Sequence, residues 1–441
     1  MNREEFERIA DAACQPPAGV DLVSLFYAGE ASDFIRFNHA QVRQASHVAQ
    51  HYGTLSLVAG PRRATATVSL SGRVDDDIRL LREECGQLAR DLPLVPEDPL
   101  LLLPDKVEST HHAASGSLPT QREVIESVAR HAQGADLVGL YAGGPVTRAY
   151  ADSRGQRNWH QVESFHFDWS LYLQEDQAVK TPYAGTSWDP QAFASRVEQA
   201  RQRLELLKRP RKTLTPGEYR ACFTPGATAD LLGILGWGGF SQRAARTGVS
   251  PLVRLQRGDA RFSPQLTLAE AVAEGIAPRF QADGFVKPAS VPLVVQGQPA
   301  GTLVSARSAR EYGGMANGAN AMEAPESLSV AAGALPAADA LQALDTGVYV
   351  SNVHYLNYSD RQACRITGMT RFACFWVEGG ELAAPINVMR FDDSLLRMFG
   401  EGLVALTDQA ELVPDSRTYL SRQLRSVTAP GAVVEGFRFA L

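Results

Sequence analysis

Histidines are the first residues to test for chemistry, because a zinc peptidase needs two of them one helical turn apart with a glutamate between them. None of the nine histidines forms such a motif. His47 and His51 have the four-residue spacing, but the sequence around them favours a strand and no carboxylate lies between them. His160 and His166 flank Glu163, yet on a strand both imidazoles share one face and the glutamate points to the other. We therefore predict structural roles for these histidines.

Other catalytic and phosphate-binding patterns are also incomplete. The sequence has neither a Gly-x-Ser-x-Gly motif nor a Walker-type phosphate loop. The glycine-rich segment 233–239 lacks the lysine of a phosphate loop, so we predict a tightly packed turn there. His354, Asp360 and Cys364 lie near one another in the sequence and offer a weak basis for a non-standard hydrolase site. The residues alone show no complete catalytic constellation.

Composition excludes several classes of function. The formal net charge of -6 does not favour non-specific binding to nucleic acid, which needs clustered basic residues. The most apolar short run, 99–104, is too short to cross a bilayer, and the acidic N-terminus has no signal-peptide core. Five cysteines without close pairs indicate reduced thiols. We therefore expect a soluble, cytoplasmic protein that binds neither nucleic acid nor membranes.

The first half of the chain contains two units with a similar pattern. Asn2 and Thr120 each begin a helix as a capping residue, with a glutamate three positions later. The apolar segments 21–29 and 136–143 that follow resemble each other, which indicates a degenerate internal duplication. Each unit ends with an amphipathic helix, the second of which is capped by Asp189.

These patterns predict three domains in a chain of 441 residues. The first is an N-terminal α/β domain over residues 1–92. A linker over 93–119, rich in proline and then in His, Ser and Gly, leads to a central α/β domain over 120–212. Short β-rich segments separated by glycine turns then predict a larger domain over 213–441.

We expect the C-terminal domain to be antiparallel and barrel-like, and the two N-terminal units to contain short sheets, which makes the predicted fold class α+β. The β-rich segments on which this expectation depends are 291–295, 301–305, 347–350, 372–377 and 386–391.

Several motifs of the C-terminal half occur together in a specific order. They are Asp283-Gly284, the apolar segment 291–295, the small-residue stretch 301–313, the segments 347–350 and 375–381, Pro385, and Leu396–Phe399. In this order they resemble the TldD/PmbA family of zinc metallopeptidases. Arg36-Phe37-Asn38, before Val42, is similar to the N-terminal domain of that family. The resemblance covers most of the chain and is strongest over 280–400.

The chain departs from the zinc-binding branch of that family. In the TldD branch, a helix after the central domain carries His-Glu-x-x-x-His, and a later cysteine is a third zinc ligand. Here the similar segment, Pro225–Gly238, contains neither histidine nor glutamate, and no cysteine follows Cys374. The resemblance is therefore to the PmbA (TldE) branch, which lacks the motif. It implies that this chain binds no zinc, and that it pairs with a zinc-bearing TldD-like chain to process small or unfolded peptides.

No catalytic or metal-binding residue is assigned, but aromatic and polar residues of the late strands are candidates to line a peptide chamber. These candidates are His354, Tyr355, Tyr358, Arg371 and Trp376. The alternative is that Trp376 belongs to the core while the two tyrosines pack in a loop or an interface. Two other functions stay open, namely a stand-alone hydrolase around His354 and a peptide-binding homodimer without catalysis. The segment 352–360 departs even from PmbA proteins.

Overall fold

The computed structural model describes residues 1–440 and has an α+β fold with two β-sheets. The first sheet is built from residues 22–185 and the second from residues 217–439. The predicted fold class is therefore confirmed. Among residues 1–440, no helix is long and apolar enough to cross a membrane.

The first half of the chain folds twice in the same order of helix, long strand, long strand and long helix. Its elements are α1 (Arg3–Ala13), β1 (Leu22–Asn38), β2 (Gln41–Ala59), β3 (Arg62–Ser69), α2 (Val74–Asp91), β4 (Thr110–Ala114), α3 (Gln121–His131), β5 (Asp136–Asp152), β6 (Arg157–Gln174), β7 (Gln177–Lys180), β8 (Tyr183–Gly185) and α4 (Pro190–Leu207). Helices α1 and α3 each have 11 residues and begin with the predicted capping boxes. Strands β1 and β5 each have 17 residues, and helices α2 and α4 each have 18. The predicted duplication is confirmed.

A tyrosine–glycine pair repeats at the same place in both copies. A Cβ atom on Gly29 would lie 2.2 Å from the hydroxyl oxygen of Tyr27. One on Gly143 would lie 2.3 Å from the hydroxyl oxygen of Tyr141. Both glycines therefore leave room for a buried ring that crosses the face of the sheet.

The two faces of the first sheet differ in chemistry. The strand order is β3-β2-β1-β5-β6-β4, and β7 and β8 also pair with β6. One face is apolar and is covered by α1 and α2 over one part and by α3 and α4 over the other. Because side chains alternate along a strand, the opposite face carries polar residues such as Glu30, Arg148 and His166. This polar face is turned toward the second half of the chain.

The second half forms an open, mixed sheet with short helices. Its elements are β9 (Gly217–Phe223), α5 (Pro225–Gly233), α6 (Gln242–Arg246), α7 (Val253–Gln256), β10 (Leu268–Glu270), β11 (Val291–Val295), β12 (Gln298–Pro299), α8 (Ala306–Tyr312), β13 (Ser327–Val330), α9 (Ala340–Leu344), β14 (Gly347–Val350), β15 (Asn352–Asp360), β16 (Arg365–Arg371), β17 (Phe375–Glu378), β18 (Glu381–Pro385), β19 (Arg390–Ser394), α10 (Leu395–Met398), β20 (Leu403–Pro414) and β21 (Ser426–Phe439). Short 3-10 helices lie at Leu92–Leu94, Ile234–Gly236 and Ala337–Asp339.

The second sheet does not close into the expected barrel within the described residues. Its main path runs from β12 at one edge to β18 at the other, with the long strand β21 in the middle. The pairs β13–β21 and β9–β14 are parallel, and the other pairs are antiparallel. The sheet is therefore open and mixed rather than antiparallel and barrel-like.

The predicted β-rich segments have different outcomes. Segments 291–295 and 347–350 are strands with those bounds. The segment 301–305 is not a strand, because the side chain of Ser305 accepts the N–H of Ser308 and caps helix α8. The strands predicted at 372–377 and 386–391 begin later, at Phe375 and Arg390.

A continuous sheet spans both N-terminal units. Strand β1 pairs directly with β5, and β4, which lies inside the predicted linker 93–119, pairs with β6. The division of the chain at residues 92, 119 and 212 stays a prediction.

Arg422 joins the two halves of the chain through a side chain that is only 3% exposed. Its guanidinium group donates hydrogen bonds to the carbonyl oxygens of Gly144 (2.8 Å) and Ser164 (2.6 Å) and to the hydroxyl of Ser32 (3.3 Å). Its backbone N–H donates to the carboxylate of Glu30 at 3.0 Å. Burial lowers the pKa of Arg422 to about 10, and the charge of Glu30 opposes this effect. The guanidinium group therefore stays charged at neutral pH.

Replacing Arg422 by leucine tests the importance of this junction. The change leaves the buried carbonyl oxygens of Gly144 and Ser164 without their donors and removes one of the two cations near Glu30, so we expect the free energy of unfolding to fall by about 3–5 kcal/mol. Chemical denaturation of the purified chain measures this difference. Arg417 is the matched control, because its exposed guanidinium group pairs with Asp415 in the same segment. We expect Arg417→Leu to cost less than about 1 kcal/mol, and equal losses in the two variants would contradict the account.

Candidate functional site

Helix α5 carries a single charged side chain, and this side chain lies near charged residues of the first sheet. Thr224 caps the helix by accepting the N–H of Ala227 at 3.2 Å, and Pro225 occupies its first turn. The residues that α5 buries are Ala227, Thr228, Ala229, Leu231 and Leu232. Asp230 is the only charged residue of the helix, and it lies outside this apolar set.

The carboxyl group of Asp230 has a raised pKa although the residue is in contact with solvent. Burial raises the pKa of Asp230 from 3.8 to about 6, and Asp168 reinforces the rise while Lys180 opposes it. By solvent-accessible area, however, the residue is exposed. The carboxyl group therefore lies close to the ion pair of the first sheet while it keeps contact with water, which weakens the effect of burial. In the sequence, the signal for this residue is weak, because it is a lone carboxylate in an apolar, glycine-rich segment.

An ion pair on the first sheet faces Asp230. Lys180 on β7 donates a hydrogen bond from Nζ to Oδ2 of Asp168 on β6, at 2.9 Å. Oδ1 of the same carboxylate is buried and has no hydrogen-bond partner. Lys180 lies opposite Ser170 in the register of β6 and β7, so its side chain shares the face of Asp168. The pair therefore leaves one carboxylate oxygen free.

His166 lies two residues before Asp168 on the same face of β6. Burial lowers the pKa of His166 to about 4, so the imidazole is neutral at neutral pH. Its Nε2 atom is buried without a hydrogen-bond partner. His160, also on this face, differs because its Nε2 atom bonds the carbonyl oxygen of Ile276 at 3.0 Å. The predicted structural role therefore fits His160, whereas His166 retains free hydrogen-bonding capacity.

The turn between β16 and β17 approaches the ion pair of Lys180 and Asp168. Phe372 has a φ of 61°, an uncommon backbone conformation for a bulky side chain. The centre of its ring lies 6.0 Å from Nζ of Lys180 and 5.3 Å from Cζ of Arg371. This turn therefore places an aromatic ring beside the ion pair.

The predicted chamber residues differ in their exposure: His354 and Tyr355 are exposed, whereas Tyr358 and Trp376 pack against the core. His354 and Arg371 lie on one face of the β15–β16 pair, because His354 is opposite Met369, two residues before Arg371. Tyr355 is 73% exposed and has its ring centre 4.3 Å from that of His354. Trp376 lies on β17, where the Nζ atom of Lys212 is 3.9 Å from its ring centre.

Tyr358 is packed rather than open to a ligand. Its hydroxyl donates a hydrogen bond to the carbonyl oxygen of Ile234 at 3.0 Å, and its ring packs against the core. Burial raises the pKa of Tyr358. Trp376 is likewise partly buried against the core, and its Nε1–H donates to Glu378 at 2.6 Å. Both aromatic residues therefore have structural contacts.

The alternative hydrolase site around His354 has no reactive thiol. Cys364 is fully buried, and burial raises the pKa of its thiol to about 12. The thiolate form is therefore scarce at neutral pH. Asp360 accepts the backbone N–H groups of Gln362 and Ala363, as expected of a turn residue.

Among residues 1–440, no group of three His, Cys, Asp or Glu side chains could hold a metal ion. Zinc in peptidases is held by three such side chains, usually including imidazoles. Helix α5 offers only the carboxylate of Asp230. The residues of this helix therefore do not fit a zinc ion.

Comparison with known families identifies the C-terminal half. Residues 216–441, just over half of the chain, match the PmbA/TldA metallopeptidase C-terminal domain. The chain belongs to the PmbA/TldD metallopeptidase family. The predicted family is thus confirmed, and the matched domain includes helix α5 and the whole second sheet.

Solved structures show that the fold extends over the whole chain. TldE from Thermococcus kodakarensis is 14% identical with a TM-score of 0.78, over 99% of this chain and 100% of that one. A protein described as a candidate modulator of a DNA gyrase, from Thermotoga maritima, is also 14% identical, with a TM-score of 0.77 over 99% of both chains. Another such protein, from Bacteroides thetaiotaomicron, is 15% identical with a TM-score of 0.73, over 100% of this chain and 98% of that one. No curated protein sequence matches this member of the PmbA/TldD family.

The raised pKa of Asp230 predicts a pH-dependent effect on stability. The pKa of Asp230 is higher in the folded state than in the unfolded state. Asp230 therefore contributes most to the free energy of unfolding below about pH 4, where it is protonated in both states. This contribution is lost as the pH rises through about 6 and the carboxyl group ionises in the folded protein. Asp230→Asn removes this loss, so we expect the variant to gain about 1 kcal/mol over the wild type near pH 7, allowing for the solvent contact of the carboxyl group.

Denaturation of both proteins between about pH 4 and pH 7 measures this effect. The two stability curves should converge at the acidic end. Asp259→Asn, at an exposed aspartate, is the control and should show no such divergence. If the difference in the free energy of unfolding between the wild type and Asp230→Asn is the same at all pH values, the pKa of Asp230 is not raised.

Proposed function

We propose that this chain is the TldE-like subunit of a two-chain metallopeptidase and pairs with a zinc-bearing TldD-like chain. The observation that carries the proposal is a metallopeptidase domain whose helix α5 lacks the donors that zinc requires. The similarity in fold to TldE supports the same assignment. The partner supplies the zinc and the activated water, and this chain completes the chamber that holds a small or unfolded peptide. Five free, buried cysteines suit a reducing compartment, so we place the pair in the cytoplasm.

The peptide chamber that we propose lies against the polar face of the first sheet. Asp168 and Lys180 line it from the sheet, and Asp230 lines it from α5. Among the candidates from the sequence, His354 and Tyr355 are exposed and free to contact a peptide. The remaining candidates support the wall of the chamber: Tyr358, Arg371 and Trp376.

The first half of β2 offers an edge for the partner. Strand β3 pairs with residues 52–59 of β2 only, and the carbonyl oxygen of His51 accepts the N–H of Leu70, so the outer edge of residues 41–50 is left unpaired by β3. Residues 41–45 are exposed on both sides of the strand. Unpaired backbone groups on such an edge can pair with a strand of another chain.

Apolar side chains lie next to this open edge. Val48 and Tyr52 lie on one face of β2, and Gln50 between them donates a hydrogen bond to the carbonyl oxygen of Leu420. Tyr419 and Leu420 are 84% and 80% exposed. The buried side chain of Arg422 anchors this exposed tip to the first sheet. The surface combines an open edge with an apolar patch, as protein interfaces commonly do.

Mixing experiments test the proposal. The purified chain, a TldD-like chain from the same organism, and their mixture are each incubated with an unstructured peptide. We expect steady hydrolysis by the mixture, because only the pair has both the zinc and the complete chamber. Hydrolysis by the present chain alone at the rate of the mixture would contradict the proposal and favour a stand-alone hydrolase.

Variants of the surface next to β2 test how the pair forms. Val48→Asp combined with Leu420→Asp places two charges in the contact, so we expect the affinity between the chains to fall about tenfold or more. Val404→Asp is the matched control, because Val404 also lies on a strand and is 37% exposed against 36% for Val48. Gel filtration and titration calorimetry measure the affinity. Equal affinity of all variants would place the interface elsewhere, and association of this chain only with itself would favour the homodimer.

A further inference from the structure

We propose that an exposed arginine cluster in the second half of the chain binds acidic side chains of an extended peptide. The inference deepens the proposed function, on which it rests, because it names the class of peptide that this chain holds. Five exposed residues form the cluster: Arg243, Arg246, Arg254, Arg257 and Arg261.

Two short helices present four of these arginines in pairs. Arg243 and Arg246 lie three positions apart in α6, and Arg254 and Arg257 have the same spacing at α7. Between the arginines of each pair, the helix buries an apolar residue, which turns the pair outward. Residues three apart in a helix are neighbours, so like charges at this spacing repel each other. A ligand with negative charge relieves this repulsion.

The arginines of the cluster have no partners of opposite charge. Within residues 1–440, their guanidinium groups take part in neither an ion pair nor a hydrogen bond. The segment 240–262 contains these five arginines and one acidic residue, Asp259, and has a formal charge of +4. Because the whole chain has a formal charge of -6, the rest of it carries -10. The positive charge is therefore local.

A second basic segment, 208–212, differs in this respect. Three of its four basic side chains pair with carboxylates: Lys208 with Glu205, Arg211 with Asp176, and Lys212 with Glu378. Its fourth, Arg209, donates to backbone carbonyl oxygens. The fold thus uses the charges of this segment, whereas it leaves those of the cluster available to a ligand.

An exposed tryptophan is fixed beside the cluster. Trp237 and Val249, three residues after Arg246, are 55% and 54% exposed. The guanidinium group of Arg361 donates hydrogen bonds to the carbonyl oxygens of both residues and holds them together. A Cβ atom on Gly238 would lie 2.6 Å from Nη2 of Arg361, so this glycine leaves room for the contact. The cluster therefore has an apolar neighbour, as peptide-binding surfaces commonly do.

The elements around Trp237 continue into the proposed peptide chamber. Trp237 follows α5 and a 3-10 helix, and it lies about 10 Å along this helical path from Asp230. Arg361 follows β15, which carries His354. An extended peptide covers such a distance with about three residues. We therefore expect the acidic side chains a few residues away from the part of the peptide in the chamber.

The charge of the rest of the chain favours a peptide over nucleic acid. Duplex DNA carries a negative charge about every 1.7 Å along its axis, so it would continue from the cluster over a chain that is otherwise acidic. A peptide can confine its carboxylates to the cluster, where arginine pairs with them through charge-assisted hydrogen bonds.

Titration calorimetry of the full chain, without a partner, tests this inference. The probes are the acetylated and amidated peptide Gly-Glu-Glu-Leu-Gly-Glu-Glu-Gly, the same peptide with glutamine in place of every glutamate, and an oligothymidylate of equal charge. We expect the glutamate peptide to bind about tenfold or more tightly than the glutamine peptide, and less tightly as salt is added. Equal binding of the two peptides, no binding of either, or tighter binding of the oligothymidylate would overturn the inference.

Variants of the cluster complete the test. Arg243→Gln combined with Arg246→Gln should weaken binding of the glutamate peptide about tenfold. Arg79→Gln combined with Arg82→Gln is the matched control, because it removes the same charge from exposed arginines three positions apart in α2. Equal losses in the two double variants, or unchanged binding in the first, would contradict the assignment. Because binding is measured on the chain alone, its failure is distinguishable from a failure to form an active pair.

Discussion

The polar face of the first sheet is the constraint on which the rest of the structure depends. A buried sheet face with charged side chains is stable only if each charge finds partners. Arg422 provides much of this pairing, because it reaches from the C-terminal half to Glu30 and to carbonyl oxygens of strands β5 and β6. The same junction fixes the exposed tip at Tyr419 and Leu420 beside β2. It thereby links the packing of the two halves to the surface that we propose for the partner.

Toward α5, the polar face of the first sheet carries His166 and the ion pair of Asp168 and Lys180, close to Asp230. Buried atoms without a hydrogen-bond partner occur there in His166 and Asp168, and also beside the junction, where Oε1 of Glu30 and Nε of Arg422 have none. The two copies in the first half differ in how their strands are paired. The first copy ends in an open edge at β2, whereas in the second copy β4, β7 and β8 pair with β6. The first copy thus has an edge that can pair with another chain, and the second carries the ion pair that lies near α5.

The sequence predicted the local elements of the first half well, because caps and apolar stripes are encoded within a few residues. Asn2, Thr120 and Asp189 cap the helices that they were expected to cap. The openness of the second sheet was not predicted, because the pairing of β21 joins strands far apart in the chain. The site was also missed. A structural role was predicted for His166. The unusual pKa of Asp230 depends on Asp168 and Lys180, which lie far earlier in the chain and which only the fold brings near it.

The zinc content and mass of the assembled protein test the central claim most directly. The chain and a TldD-like chain from the same organism are purified separately, mixed and separated by gel filtration, and each peak is analysed for metal. The account predicts that this chain alone carries almost no zinc, and that the mixture forms a pair with about one zinc ion, as one catalytic site requires. Zinc bound to this chain alone at about equal stoichiometry would contradict the account.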